Sequence, residues 1–432
     1  MTTTEDLYGY FKSNPVISTD TRNIKPGSLF FALKGDRFDG NEFARQALAN
    51  GAAWAVIDDP RYEGPGCLLV PDVLTSLQQL ARHHRQQLSI PVIAVTGSNG
   101  KTTTKELLHA VLASAMKTYA TAGNLNNHIG VPLTLLSLTG AHEAAVVEMG
   151  ANHQKEIEAL CEIALPTHGL ITNVGKAHLE GFGGFEGVKK GKGELYRFLA
   201  RNDGTVFMNS DNRHLAEMAT AASLNKIVKY GAGDQADCTG KLLSSQPFLE
   251  VSWKSGAATG KASTHLVGEY NFENVVAAVC VGHYFGVPPA SIDQAIASYV
   301  PGNSRSQLVM KNGNKVILDA YNANPTSMAA ALQNFSALPG NNKVIFLGDM
   351  AELGEESESE HQRIADLLNT LHYEELILVG NKFSKVQLKK PVHLFETSEE
   401  AANFAKEKKF SNAIFLIKGS RSMKMEKVFE AL

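Results

Sequence analysis

A chain of 432 residues is longer than one hydrophobic core usually organises, and at about 100–200 residues per domain it divides into two to four. Hydrophobic residues make up 44% and charged residues 20%, the net charge is −3 and the basic residues are scattered. This is the composition of an ordinary soluble globular protein and argues against nucleic acid or a membrane surface as partner. Cys67, Cys161, Cys238 and Cys280 stand apart in apolar settings without a C-x-x-C pair, as reduced core residues of a cytoplasmic protein do. Met1-Thr-Thr-Thr-Glu-Asp6 has neither the basic nor the apolar part of a leader, and no apolar run approaches the ~18 residues of a membrane span. The expectation is a protein that is neither secreted nor membrane-spanning.

Residues 1–88 read as a small α/β unit. Strands are predicted over 28–33, 52–57 and 67–70, a helix over 41–50 ended by Gly51, and a helix over 72–88 capped by Asp72. Two polar turns, Thr19-Asp20-Thr21-Arg22 and the segment 33–40 containing Lys34, lie where α/β sheets bind ligands; solvated surface turns explain them equally well.

Residues 89–303 open on an apolar run at 92–95 that ends in Gly97-Ser98-Asn99-Gly100-Lys101-Thr102-Thr103, followed by helical spacing over 101–116. Glycines where a strand turns into a helix make a phosphate cradle. Backbone N–H groups converge on the anion, Lys101 reaches the outer phosphates and the Thr102 hydroxyl can hold Mg²⁺. The loop is the short T-G-x-x-G-K-T-T form, and it predicts ATP binding. Strands over 144–147, 169–174 and 204–209 alternate with helices over 152–164 and 187–200, which implies a parallel sheet covered on both faces. Residues 235–267 alternate apolar and polar and read as a β-hairpin insertion, before helices over 272–285 and 291–298.

The chain punctuates at Pro301-Gly-Asn-Ser304. Strands over 315–320, 343–347, 375–379, 392–395 and 413–417 then alternate with helices over 326–338, 358–370, 398–408 and 422–432, a doubly wound third domain over 304–432.

Glu148 ends a buried strand beside the cradle, and His178 follows the next strand between glycines. Two such groups at successive strand ends suggest a metal-assisted phosphoryl site. The run Lys189-Lys190-Gly191-Lys192-Gly193-Glu194 reads as a solvated basic turn, although glycines on both sides of Lys192 hint at a close backbone approach. Arg305 and Asp319 are placed to act across a cleft on a nucleotide held by the second domain, which would make catalysis conditional on closure.

The sequence resembles the Mur ligases, the ATP-dependent amide-bond-forming enzymes of cytoplasmic peptidoglycan synthesis. The resemblance rests on Asp20-Thr-Arg22, Phe31-Ala-Leu-Lys-Gly-Asp-Arg-Phe38, Thr96-Gly-Ser-Asn-Gly-Lys-Thr-Thr103, Gly123-Asn-Leu-Asn-Asn-His-Ile-Gly-Val-Pro132, Glu148-Met-Gly-Ala-Asn-His153, His178-Leu-Glu-Gly-Phe-Gly183, Lys192-Gly-Glu194, Tyr321-Asn-Ala-Asn-Pro325 and Leu347-Gly-Asp-Met-Ala-Glu-Leu-Gly354. It implies an α/β, three-domain Mur ligase architecture. Residues 1–88 would bind UDP-MurNAc-tripeptide; residues 89–303 would form a P-loop central parallel sheet for ATP. A C-terminal Rossmann-like domain, 304–432, would close over ATP and bind D-alanyl-D-alanine.

By position, the resemblance assigns the nucleotide to Gly97, Ser98, Asn99, Gly100, Lys101, Thr102, Thr103, Asn271, Asn274, Arg305 and Asp319. It assigns two Mg²⁺ to Thr102, Glu148, His178 and Lys192, the last carbamoylated, and catalysis to Lys101, His178, Lys192 and Arg305. The other substrates fall to Asp20, Thr21, Arg22, Lys34, Asn127, Asn152, His153, Asn322 and Asn324, all within a monomer. One departure is Tyr270, where the family usually has histidine. The competing expectations are another Mur-type or folylpolyglutamate-synthase-type ligase, which should lack Asn-His after Glu-Met-Gly-Ala, and an ATP-gated binding or switch protein.

Overall fold

The computed structural model describes residues 1–302 and 305–432, and its strands form three main sheets and one small ribbon. The expected break at Pro301-Gly-Asn-Ser304 has its middle, Asn303 and Ser304, outside the described residues. The first sheet holds four parallel strands in the order Ile17–Ser18, Leu29–Phe31, Trp54–Ile57, Cys67–Leu69. The turn at 33–40 is a ribbon of Lys34–Gly35 against Phe38–Asp39. Asp72 starts helix Val73–Gln86 by accepting from the Thr75 N–H at 2.7 Å. The helix expected over 41–50 begins instead as the 3₁₀ turn Gly40–Phe43 and is α-helical only over Ala44–Ala49. An N-terminal helix, Thr4–Ser13, was signalled by the capping box of Thr3 and Asp6 but not expected.

The central sheet has nine strands, in the order Ala258–Ser263, Glu250–Ser255, Cys238–Ser244, Lys226–Gly231, Thr205–Asn209, His168–Ile171, Val92–Thr96, Ala144–Glu148, Thr118–Ala120. Seven of these run parallel with their neighbours down to Cys238–Ser244, and the other two pairings are antiparallel. The hairpin insertion expected at 235–267 is therefore three strands that lengthen the central sheet. Their alternation records one face lying on helix Phe272–Tyr284, where Gly240 lets Val276 and Phe272 close in. Val92–Thr96 is buried throughout, and the chain leaves it first toward Ala144–Glu148 and later toward His168–Ile171. The carboxyl ends of these three strands thus meet where the strand order reverses, the crevice in which open α/β sheets bind ligands. The helix expected over 187–200 is two, Phe185–Lys192 and Glu194–Arg201, parted at Gly193.

The third sheet runs Gln307–Lys311, Asn314–Asp319, Ile414–Lys418, Lys343–Gly348, Glu375–Val379, His393–Phe395, parallel except for its first pair. Asp319 therefore ends the second strand of this sheet, not the first. The extra strand is joined to it by Asn312 and Gly313, both at positive φ (49° and 77°), the turn an Asn-Gly pair favours. No helix among the described residues is long and apolar enough to cross a membrane.

Helix Val73–Gln86 fastens the first sheet to the central one. Arg85 is buried and gives its guanidinium to four carbonyls, Leu88 (2.5 Å), Ala164 (3.1 Å), Ile90 (3.3 Å) and Leu165 (3.3 Å). A ring nitrogen of His84 donates to the Leu138 carbonyl at 2.9 Å, and Gln78 donates to that of His128 at 3.0 Å. Removing a buried guanidinium strands these carbonyls without water. Arg85→Ala is expected to lower stability by about 3 kcal/mol, read as a lower urea midpoint at unchanged slope.

Candidate functional site

Helix Lys101–Ala113 begins at Gly100, which sits at φ 80° and offers no capping side chain, so its first-turn N–H groups open toward solvent. Glycine is required on both sides of the loop. A Cβ on Gly97 would lie 2.0 Å from Thr172 Oγ1, and one on Gly100 2.7 Å from Asn274 Oδ1. The loop is pinned from the neighbouring strand end: Ser98 and Asn99 give their N–H groups to the Asn173 carbonyl and Oδ1, each at 3.0 Å. The Lys101 ammonium folds back onto the Gly97 (2.7 Å) and Ser98 (3.3 Å) carbonyls. Burial pulls its pKa down to about 8, against the pull of Glu148, and the Arg305 charge pushes it the same way as burial. Two cations thus line one cavity beside an uncapped helix end, the electrostatics of an anion seat.

Glu148 is buried at the end of its strand. One carboxylate oxygen accepts from Asn126 Nδ2 (2.8 Å) and Thr102 Oγ1 (3.2 Å); the other has no hydrogen-bond partner and lies 3.8 Å from the Lys105 ammonium. A buried carboxylate oxygen without a donor, beside a threonine hydroxyl at a phosphate loop, is a hard oxygen set that fits Mg²⁺ sharing its remaining positions with phosphates and water.

His178, in left-handed conformation at φ 54°, lines the same cavity, and its Nδ1 pairs with the Glu352 carboxylate of the third segment. Lys192 does not stand in a solvated turn. It ends helix Phe185–Lys192 fully buried, donates to the Ala151 carbonyl at 3.1 Å and lies 5.1 Å from the centre of the Phe182 ring. Gly191 is bare because a Cβ there would meet that ring at 2.4 Å. Burial first, and the Lys101 charge next, hold the Lys192 amine well below the usual lysine range.

A cavity of about 1010 Å³ joins these parts. Its wall includes Ser98 to Thr103, Glu148, His178, Asn127 and Asn152, then Asn271 and Asn274, and from the third segment Arg305, Asp319, Asn322 and Asn324. Asn274 accepts from Thr104 Oγ1 (3.0 Å) and donates to Asn271 (2.9 Å), so the two asparagines form one unit. Asn324 caps helix Pro325–Ala337 and donates to Asn99 Oδ1 at 2.7 Å across the two segments. Lys192 and Gly97 stand behind the wall, Lys192 touching it through Ala151. His153 is outside it, its N–H and that of Asn152 capped by the Glu156 carboxylate (3.0 and 2.7 Å).

Asp20, Thr21, Arg22 and Lys34 are not brought to the cavity. Asp20 caps the turn Thr21–Asn23 and pairs with Arg22 at 2.7 Å, and Lys34 pairs with Asp58 at 2.8 Å, all on the first sheet's loops. Lys105, Asn126, Tyr321 and Lys418 were missed as site residues. Asn126 and Tyr321 lie inside motifs that carry the resemblance, and Lys105 sits one helical turn beyond Lys101 on the cradle's own helix; Lys418 carried no local signal.

The chain matches three family models in succession: Mur ligase family, catalytic domain, over 16–95; Mur ligase middle domain, over 95–282; and Mur ligase, glutamate ligase domain, over 304–421. It belongs to the Mur ligase family. Within that family it is 36% identical, over 99% of its own length and 95% of the other's, to the UDP-N-acetylmuramoyl-tripeptide–D-alanyl-D-alanine ligase of Escherichia coli (strain K12). Crystal structure I of MurF from Acinetobacter baumannii superposes with TM-score 0.87 at 34% identity, covering 96% of this chain and 92% of that one. MurF ligase from Thermotoga maritima in complex with ADP superposes with TM-score 0.85 at 27% identity, covering 96% of each.

Glu148→Gln keeps the side chain's shape and its bond from Thr102 but removes the charge a divalent cation needs. Activity is expected to fall about 100-fold, with a raised half-saturating Mg²⁺ in steady-state assays.

Proposed function

We propose that the protein is an ATP-dependent ligase that joins D-alanyl-D-alanine to the terminal carboxylate of UDP-MurNAc-tripeptide, in the cytoplasm and as a monomer. The observation that carries this reading is the convergence of Lys101 and Arg305, from two different segments, on the open helix end beside Glu148. Only a ligand with concentrated negative charge relieves that arrangement, and ATP's phosphates supply it. The relatives named for this ligation give the reaction its substrates. Residues 1–88 take the UDP-sugar end, residues 89–303 hold ATP, and residues 304–432 close over it and receive the dipeptide. Asp20, Thr21, Arg22 and Lys34 serve the first role, and Asn127, Asn152, His153, Asn322 and Asn324 line the path of the peptide.

The chemistry follows from where positive charge lies. A tripeptide carboxylate oxygen attacks the γ-phosphorus, and the bond to the bridging oxygen breaks with its electron pair leaving on ADP. The resulting acyl phosphate is electrophilic at carbon. The dipeptide amine adds there, gives up a proton and expels inorganic phosphate as the amide forms. Lys101 and Arg305 stabilise the charge on the transferring oxygens, while Asn271 and Asn274 orient the base. Mg²⁺ held by Thr102 and Glu148 would neutralise phosphate charge, and His178 stands at the same wall, oriented by Glu352.

Lys192 is assigned a carbamate. Its buried amine, stripped of much of its proton affinity, is nucleophilic toward CO₂. Attack of the neutral amine on CO₂ with loss of one N–H proton gives a carbamate, whose anionic oxygen would be available to help hold a second Mg²⁺.

Phosphate release from ATP is expected only when UDP-MurNAc-tripeptide and D-alanyl-D-alanine are both supplied; turnover with either alone would identify a switch or a different ligase. Lys192→Ala is expected to be inactive and to regain part of its activity when a short carboxylic acid is added. Full activity without additive would remove the carbamate.

A further inference from the structure

Ser306, directly after Arg305, adopts φ 46°, a left-handed conformation that an L-residue with a side chain keeps only where its surroundings impose it. Two bonds impose it. The Tyr270 hydroxyl, on the turn Glu269–Asn271 of the central segment, meets Ser306 Oγ at 2.7 Å, and the Ser306 N–H donates to Asp319 Oδ1 at 3.0 Å. Asp319 is itself held by the ammonium of buried Lys418, at 2.5 Å. The Tyr270 ring is equally constrained, because it lies back over Gly268, at φ 97°, where a Cβ would come within 2.3 Å of it. Arg305, carried on this pinned residue, lays its guanidinium 3.7 Å from the centre of the Tyr321 ring and lines the nucleotide cavity together with Tyr270, Ser306 and Asp319.

We propose that Tyr270 is a positioning residue for Arg305: its hydroxyl, bonded to Ser306 across the junction of the central and third segments, holds the left-handed turn that aims the guanidinium at the nucleotide. The tyrosine that departs from the family pattern is thus given a task that needs its hydroxyl, separate from any contact its ring makes with the base. The proposal rests on the reading of Arg305 as a cation on the transferring phosphate.

Tyr270→Phe keeps the ring and deletes the bond. It is expected to lower kcat about tenfold while KM for ATP, and ATP affinity by calorimetry without the other substrates, stay within about twofold. Ser306→Ala is expected to match it, and the double variant Tyr270→Phe/Ser306→Ala to be no worse than either alone. Adding Tyr270→Phe to Arg305→Ala is expected to cost nothing beyond the loss from Arg305→Ala. Losses that multiply in that last pair, or a Tyr270→Phe effect confined to KM for ATP, overturn the proposal and leave the role of Arg305 standing. An unchanged kcat in Arg305→Ala overturns both.

Discussion

The site depends on an unbalanced charge: a lysine buried at an uncapped helix end, with an arginine from another segment on the same cavity wall. Both effects push a proton off Lys101, and the fold accepts the penalty only because Glu148 pulls the other way and the ammonium rests on two loop carbonyls. That tension explains why the neighbouring parts are so heavily fixed. The loop is tied to Asn173, Glu148 to Asn126, Asn324 to Asn99, and the Arg305 backbone to Tyr270 and Asp319 through Ser306. Polar groups preorganised in this way do not have to reorient when charge moves during reaction.

Much of this was legible because it is local. The strand, glycine turn and helix around Lys101 follow from periodicity over one short stretch. Asp72 announces the helix it caps, and Ser398–Lys408 has the bounds its pattern gives. What escaped depends on partners remote in sequence. Thr118–Ala120 is a half-buried edge strand too short to show alternation, and Lys226–Gly231 carries lysines on a strand ordered by its neighbours. The strands from Cys238 to Ser263 were visible as β structure, but nothing in their alternation says that they continue an existing sheet. The Asn-Gly pair at 312–313 did hold the information for one missed hairpin.

The site divides along the same line. The phosphate loop and Glu148 were legible from sequence position at strand ends. Lys192 was not, since a run of lysines and glycines has the composition of a surface turn, and only the packing of Phe182 over Gly191 puts it inside. The bond between Asn99 and Asn324 spans 225 residues, and no local pattern encodes it. The reading of Arg305 and Asp319 as residues acting across a cleft already spanned that gap; the resemblance to a family added a role for Lys192 and marked Tyr270 as a departure, without giving the tyrosine a task.

The collar of carbonyls around Arg85, with His84 and Gln78 along the same helix, turns Val73–Gln86 into a strut of fixed length between the first sheet and the central one. Gln78 on that strut reaches the cavity wall. On the proposed function, a nucleotide-sugar anchored on the first sheet would deliver its far end at a set span, and an extended peptide one residue shorter or longer would miss by about 3.5 Å. Chain length itself would then be a criterion of substrate choice.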